Sequence, residues 1–265
     1  MKVVLFCGGQ GTRLRTSSHS LPKPMTEIGY RPVLWHLMKY YAHYGHTDFI
    51  LCLGYRADVI KKYFLEYNEC TSNDFVLRGG GSDLTLLSRD IDDWHLTFVD
   101  TGANANIGDR LRAVKPYVAH DEAFLANYAD GLTDLDLASY VGRALDTDAV
   151  ATFLSVRPQS GMHMVNADDA GTVKDLCRPR ELDLWINAGF FVLRPDIFDY
   201  MRPGEELVHE PFQRLIAERR LRSVQYDGFW KPMDTFNDHR QLAALYEHGE
   251  APWTVWKTTD TAAVA

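Results

Sequence analysis

The chain has 265 residues, 46% of them hydrophobic and 24% charged, with both signs mixed along it. That composition excludes a disordered tail, a collagen-like repeat and a charged low-complexity protein. Its 28 basic and 36 acidic residues leave a formal charge of -8, so no global positive field exists to hold duplex nucleic acid, while local phosphate binding stays open.

At roughly 150 residues per domain, the length falls between one large domain and two small ones. The first apolar run, Val3 to Cys7, is too short for a signal-peptide core and reads as a buried strand; no segment has the apolar length to span a bilayer. In the next stretch, Val33 to Tyr44, Leu34, Leu37, Met38 and Tyr41 share one helical face, Pro32 suits a first turn and Gly45 a terminator. A strand over Asp48 to Leu53 and an amphipathic stretch over Asp58 to Tyr67 complete a βαβα opening.

Further strands are expected at Leu96 to Val99, Ala123 to Tyr128 and Ala149 to Val156, with helical patterns at Leu111 to Tyr117 and Leu135 to Leu145. The alternation predicts an α/β fold, a mostly parallel sheet with helices on both faces. After Arg157 the rhythm changes to short runs, Met162 to Asn166, Gly171 to Leu176 and Asn187 to Leu193, expected to form a smaller sheet layered on the first. A helix over Pro211 to Arg219, a strand near Val224 and a helix over Asp238 to Glu247 follow. No repeat or linker divides residues 1–253, which read as one domain with residues 254–265 as a tail. Cys7, Cys52, Cys70 and Cys177 form no C-x-x-C pair, and Cys7 and Cys52 sit in strand-like runs as small hydrophobes; a reducing, cytoplasmic setting is expected.

The chemistry concentrates after the first strand, in Phe6-Cys7-Gly8-Gly9-Gln10-Gly11-Thr12-Arg13-Leu14. Glycines directly after a buried strand let the backbone turn its N–H groups onto a ligand, as phosphate cradles do. A dinucleotide fingerprint would need glycine where Leu14 stands and a helix at once, but Ser17, Ser18, Pro22 and Pro24 prolong the loop. A P-loop would need Gly-Lys-Ser/Thr, whereas the first lysine is Lys23, between two prolines. What remains suits a polyphosphate with a cation at each end, Arg13 and Lys23.

Gly8 to Leu14 together with Pro22-Lys23-Pro24-Met25 closely resembles the signature of the sugar-1-phosphate nucleotidyltransferases. Arg31 to His36, Val99 to Gly102, Trp185 to Phe191 and Gly228 to Thr235 bring the resemblance towards the glucose-1-phosphate cytidylyltransferase branch, over nearly the whole chain. The resemblance implies a doubly wound, Rossmann-like core with a β-rich substrate-binding elaboration, Mg²⁺ dependence and a homo-oligomer. It implies a nucleotide-binding half to about residue 157 and an acceptor-binding half over residues 158–253. Neither nucleic acid nor membrane is an expected partner.

By the same resemblance, Asp130 and Asp234 would hold Mg²⁺, which suits oxygen ligands and substrate phosphates. Phe6, Gly8, Gly9, Gln10, Gly11, Thr12, Arg13, Lys23, Arg110 and Ala129 would contact the nucleotide, and Arg178, Asn187 and Gly189 the acceptor. Catalysis would rest on Arg13, Lys23, Asp130 and Asp234, aligning a nucleoside triphosphate, CTP by resemblance, with a sugar-1-phosphate whose ionised phosphate needs no general base.

Several positions depart from the family pattern. Ala129-Asp130-Gly131 replaces the usual Gly-Asp-Gly, Ala103 to Arg110 lacks the threonines that precede the family's arginine, and Cys177-Arg178-Pro179 replaces Glu-Lys-Pro. Arg178 presents a planar fork instead of a point charge. Gly161-Met162-His163-Met164 stands where the family is glycine-rich, implying a reshaped acceptor pocket. Alternatives are the same reaction on another nucleotide or a non-glucose acceptor, and a silent nucleotide-binding regulatory protein; the intact set of Arg13, Lys23, Asp130 and Asp234 argues against the last. His43 and His46 share a helical face, but no Cys or carboxylate stands at ligand spacing to close a zinc site.

Overall fold

The computed structural model describes residues 1–9, 21–158 and 163–257. β1 (Lys2–Phe6), β2 (Asp48–Leu53), β3 (His95–Asp100) and β4 (Phe124–Tyr128) lie in the order β4-β1-β2-β3, all parallel. The same sheet continues through β5 (Ala151–Val156), β6 (Ile186–Asn187), β7 (Phe191–Leu193) and β8 (Leu221–Tyr226). β7 runs antiparallel to both β4 and β5, β6 antiparallel to β5, and β8 parallel to β5.

Strand alternation gives the sheet two cores. Val3 and Leu5 of β1 face a cluster built with α1 (Val33–His43), where Leu34, Leu37, Met38 and Tyr41 are buried as the helical spacing requires. Ile60 of α2 (Ala57–Leu65) joins the same cluster. On the other face, Val4 and Phe6 meet Leu111 of α3 (Ile107–Ala113) and Val118 of α4 (Lys115–Val118). α5 (Leu137–Leu145) covers the first face, and α6 (Glu210–Ala217) brings Phe212 and Leu215 to the second. α7 (Phe236–Glu247) packs Leu242 on the first. No described helix is long and apolar enough to cross a membrane.

Three expectations need correction. The pattern over Leu111 to Tyr117 is not one helix but the end of α3 and then α4, because Pro116 suits a first helical turn and not an interior one. The run Asn187 to Leu193 does not belong to a separate layer: it enters the main sheet as β6 and β7, leaving Met164–Ala167 and Val173–Cys177 as a hairpin paired only with itself. Packing also continues past residue 253. Trp253 is fully buried, and Trp256 sets its ring 5.9 Å from that of Trp35. A further hairpin, Phe75–Arg78 with Asp83–Leu86, has no counterpart in the sequence reading.

Between β6 and β7 the register slips. Ser155 and Thr152 of β5 face Asn187 and Val192, so the β6–β7 segment carries two more residues than the strand it faces. The excess is taken up at Gly189 (φ 78°) and Phe190 (φ 49°), both left-handed, the second strained for a bulky residue. Buried bonds fix the kink: Phe190 N–H donates to Asn127 Oδ1 (2.9 Å) and the Tyr140 hydroxyl to Phe190 O (2.6 Å).

Candidate active site

β4 ends at Tyr128, and the chain turns through Ala129 and Asp130 into a short strand, Gly131–Thr133. That strand pairs antiparallel with Trp230–Pro232, Gly131 opposite Pro232. Met233 N–H then donates to Asp130 O (2.9 Å), so Asp130 and Asp234, from opposite halves of the chain, emerge at one end of one strand pair. The pair is fastened on several sides. The Thr133 hydroxyl donates to Phe229 O (2.7 Å), Trp230 Nε1 to Ala188 O (3.1 Å) and Phe229 N–H to Asp134 (2.9 Å), whose carboxylate also accepts from the Tyr226 hydroxyl.

Lys23 opens a single 3₁₀ turn, Lys23–Met25, whose Pro24 and Met25 are buried. The turn sends its ammonium between the two carboxylates, bonded to Asp130 and, at 2.5 Å, to Asp234. Burial alone would depress this lysine, but the Asp130 and Asp234 charges and hydrogen bonds outweigh it and hold its pKa above the ordinary value.

These three groups line a cavity of about 460 Å³ over the carboxyl ends of β1 and β4, where ligands of open α/β sheets collect. Phe6, Gly9, Tyr128 and Ala129 contribute beside them. Asn187, Trp230 and Pro232 line one flank, and Asn106, Ile107, Arg110 and Glu206 the other.

The structure therefore brings together Phe6, Gly9, Lys23, Arg110, Ala129, Asp130, Asn187 and Asp234. Gly8 acts from behind: a Cβ there would come 1.9 Å from the Arg110 guanidinium. Arg110 itself is 2% exposed and fastens three strand ends, donating to Gly8 O (3.0 Å), Leu53 O (3.1 Å) and the Thr101 hydroxyl (2.7 Å). Burial lowers its pKa. Gly189 serves the backbone, since a Cβ would lie 2.3 Å from Asn127 Oδ1; its N–H donates to Asn187 Oδ1 (2.9 Å). Arg178 is not brought to the cavity: it is exposed, just after Val173–Cys177, where its N–H donates to Glu181 (3.0 Å). Gln10, Gly11, Thr12 and Arg13 lie outside the described residues.

Sequence reasoning missed Tyr128, Trp230 and Glu206 as lining residues. Tyr128 adjoins Ala129-Asp130-Gly131 and Trp230 lies within Gly228 to Thr235, so both were within reach; Glu206 belongs to no motif. His36 is packed among aromatic rings with Nε2 2.9 Å from Ile28 O, and burial pulls its pKa down to about 4. No group of three or more metal-ligand side chains occurs among the described residues. Asp130 and Asp234 converge on the Lys23 ammonium inside the cavity, a donor set that fits a hard divalent ion completed by substrate phosphates.

A family model described as nucleotidyl transferase matches residues 2–248. The chain belongs to this family. This nucleotidyltransferase is 38% identical over 259 residues to the glucose-1-phosphate cytidylyltransferase of Salmonella typhi, an alignment covering 97% of this chain and all of that one. It is 34% identical over 258 residues to the probable glucose-1-phosphate cytidylyltransferase of Bacillus subtilis, with the same coverage. Among solved structures it is similar to HddC of Yersinia pseudotuberculosis, with a TM-score of 0.64 and 20% identity over 92% of this chain and 99% of that one. That likeness shows the fold, a mostly parallel sheet with flanking helices. Nucleotidyltransferases of this family commonly use a divalent metal.

Proposed function

We propose that the protein joins CTP to glucose-1-phosphate in a Mg²⁺-dependent reaction, giving CDP-glucose and pyrophosphate. The observation that carries this reading is the meeting of Asp130, Asp234 and Lys23 in one cavity. The cytidylyltransferase relatives, matched over their whole length, support the choice of substrates.

In the step itself an oxygen of the acceptor phosphate attacks the α-phosphorus. A new P–O bond forms as the bond to the bridging oxygen of the β-phosphate breaks, and pyrophosphate leaves with the electron pair. The attacking oxygen is already ionised, so no side chain need remove a proton. Lys23 offsets negative charge beside the α-phosphate, and Asp130 and Asp234 would hold the divalent ion, which supplies charge neutralisation at the phosphate oxygens. Arg13 and the glycine-rich segment Gly8 to Thr12 would serve the leaving group, as the family signature implies. Asn187 orients the acceptor, and the left-handed turn at Gly189 and Phe190 sets where Asn187 stands.

The test is pyrophosphate release with Mg²⁺, each common nucleoside triphosphate being paired with a panel of sugar-1-phosphates. CTP with glucose-1-phosphate is expected to give the highest kcat/KM. Silence across the panel would overturn the reading.

A further inference from the structure

We propose that Glu206 selects the nucleobase, accepting hydrogen bonds from an exocyclic amine and so favouring CTP over UTP. The inference rests on the nucleotidyl-transfer reading of the same cavity. Phosphates belong beside Lys23 and the two carboxylates that can share a divalent ion with them. The acceptor flank carries Asn187 and Trp230, tied to the β6–β7 segment through Ala188. The remaining flank is that of α3, which Arg110 fastens to the ends of β1, β2 and β3. The base of a nucleotide falls there.

Glu206 reaches this flank from the half of the chain otherwise given to the acceptor, and the structure holds it in place. Gly204 N–H donates to Asp109 Oδ1 (2.9 Å), and Asn106 Nδ2 donates to Gly204 O (2.9 Å). Gly108 allows the close approach: a Cβ there would lie 2.1 Å from Glu205 O. Arg214 of α6 grips the neighbouring Glu205 at 2.7 Å. So fixed, Glu206 accepts from Ile107 N–H through Oε2 (3.4 Å) and lines the cavity.

Elimination isolates the carboxylate. Asn106 is half used, accepting from Asp109 N–H (2.7 Å) and donating to Gly204 O. Ala105 and Ile107 have no polar side-chain atoms, and Arg110 can only donate. Among the described side chains on this flank, Glu206 is the only carboxylate: it carries a full negative charge and takes about four hydrogen bonds, more than the single lone pair left on Asn106 Oδ1. Cytosine presents two N–H groups at C4, whereas uracil presents a carbonyl oxygen there, which a carboxylate repels and leaves unpaired.

Glu206→Gln tests the proposal, because the amide oxygen can keep the Ile107 contact while the NH₂ can turn to donate to uracil O4. With Mg²⁺ and glucose-1-phosphate, the ratio of kcat/KM for CTP to that for UTP is expected to fall about tenfold or more. Calorimetric binding of CTP and UTP should show the same loss of preference, and Glu206→Ala should weaken CTP without gaining UTP. A ratio unchanged in Glu206→Gln, or equal losses for the two nucleotides as a ribose contact would give, overturns the proposal alone. Selective CTP binding that Glu206→Gln abolishes, in a protein that releases no pyrophosphate, would uphold the proposal and sink the transfer reading. Failure of the wild type to bind either nucleotide would overturn both.

Discussion

The pair Gly131–Thr133 with Trp230–Pro232 and the hairpin Met164–Ala167 with Val173–Cys177 are both isolated two-stranded units, built in opposite ways. The first joins distant segments and is buried, with Leu132 at 1% and Trp230 at 7% exposure. The second closes locally and is open, with Val165 at 58% and Leu176 at 60%. Two strands alone are marginal in water, so the first draws its rigidity from surrounding packing and the second from little besides its own ladder. The rigid unit carries the carboxylates whose mutual placement the chemistry needs. The loose one leads into Arg178, whose proposed partner arrives from solution.

The rigid pair is tested most directly at its carboxylates. Asp130→Asn and Asp234→Asn should each cut kcat by about a hundredfold or more, with the circular dichroism spectrum and Tm retained. Full activity in either variant would remove that carboxylate from the site. Next comes packing: Trp230→Ala should cost about 3 kcal/mol in denaturant unfolding and lower kcat as well, because Trp230 ties the strand that leads to Asp234 to the Ala188 carbonyl. Val165→Ala, on the open hairpin, should cost no more than about 0.5 kcal/mol. Equal costs would mean that the two units do not differ in rigidity.

The hairpin Phe75–Arg78 with Asp83–Leu86 adds an intermediate case, exposed at its tip but latched at its base by Glu69 and Asp90. Asp90 accepts from the Tyr67 hydroxyl (2.8 Å) and the Ser72 hydroxyl (2.5 Å), beside Arg31 at 3.8 Å. Burial would raise Asp90, but hydrogen bonds from Glu69, Ser72 and Tyr67 and the Arg31 charge hold it below the usual carboxylate range. Glu69 goes the other way, pushed up to about 7 by burial and then by the Asp90 carboxylate. A folded pKa above the unfolded 4.5 means that the contribution is fully present below about 4.5 and is lost as pH rises through about 7. Glu69→Gln should therefore flatten Tm against pH between those values. The same slope in wild type and variant would show that the latch does not titrate there.

The difference between these units also marks what the sequence could reveal. α1, β2 and β4 were legible because burial writes a period into the side chains, as in Leu34, Leu37, Met38 and Tyr41. Lys23 was legible through the prolines on either side of it, and Asp130 through the family resemblance. The β6–β7 kink was not, because apolar content gives no sign of a two-residue slip in register. The 75–86 hairpin had a signal in Gly79-Gly80-Gly81 between two short runs that went unread. Glu206 had none, since its place is set by bonds between a loop and α3 that leave no local pattern.

The open hairpin is tested at Arg178, where a substitution disturbs the fold least. Arg178 is exposed and stands outside the cavity lining, so Arg178→Ala should move stability by no more than about 0.5 kcal/mol. If it binds the acceptor phosphate, the hairpin must approach the cavity when that substrate arrives, and the loss appears only in acceptor affinity. The acceptor KM should then rise about tenfold while kcat at saturating acceptor and the KM for CTP stay put, since removing a contact made equally in ground and transition states leaves kcat alone. A fall in kcat instead would place Arg178 with the carboxylates as part of the reacting geometry. An unchanged acceptor KM would leave the open hairpin with no part in the reaction, and the contrast between the two strand pairs would then be one of burial only.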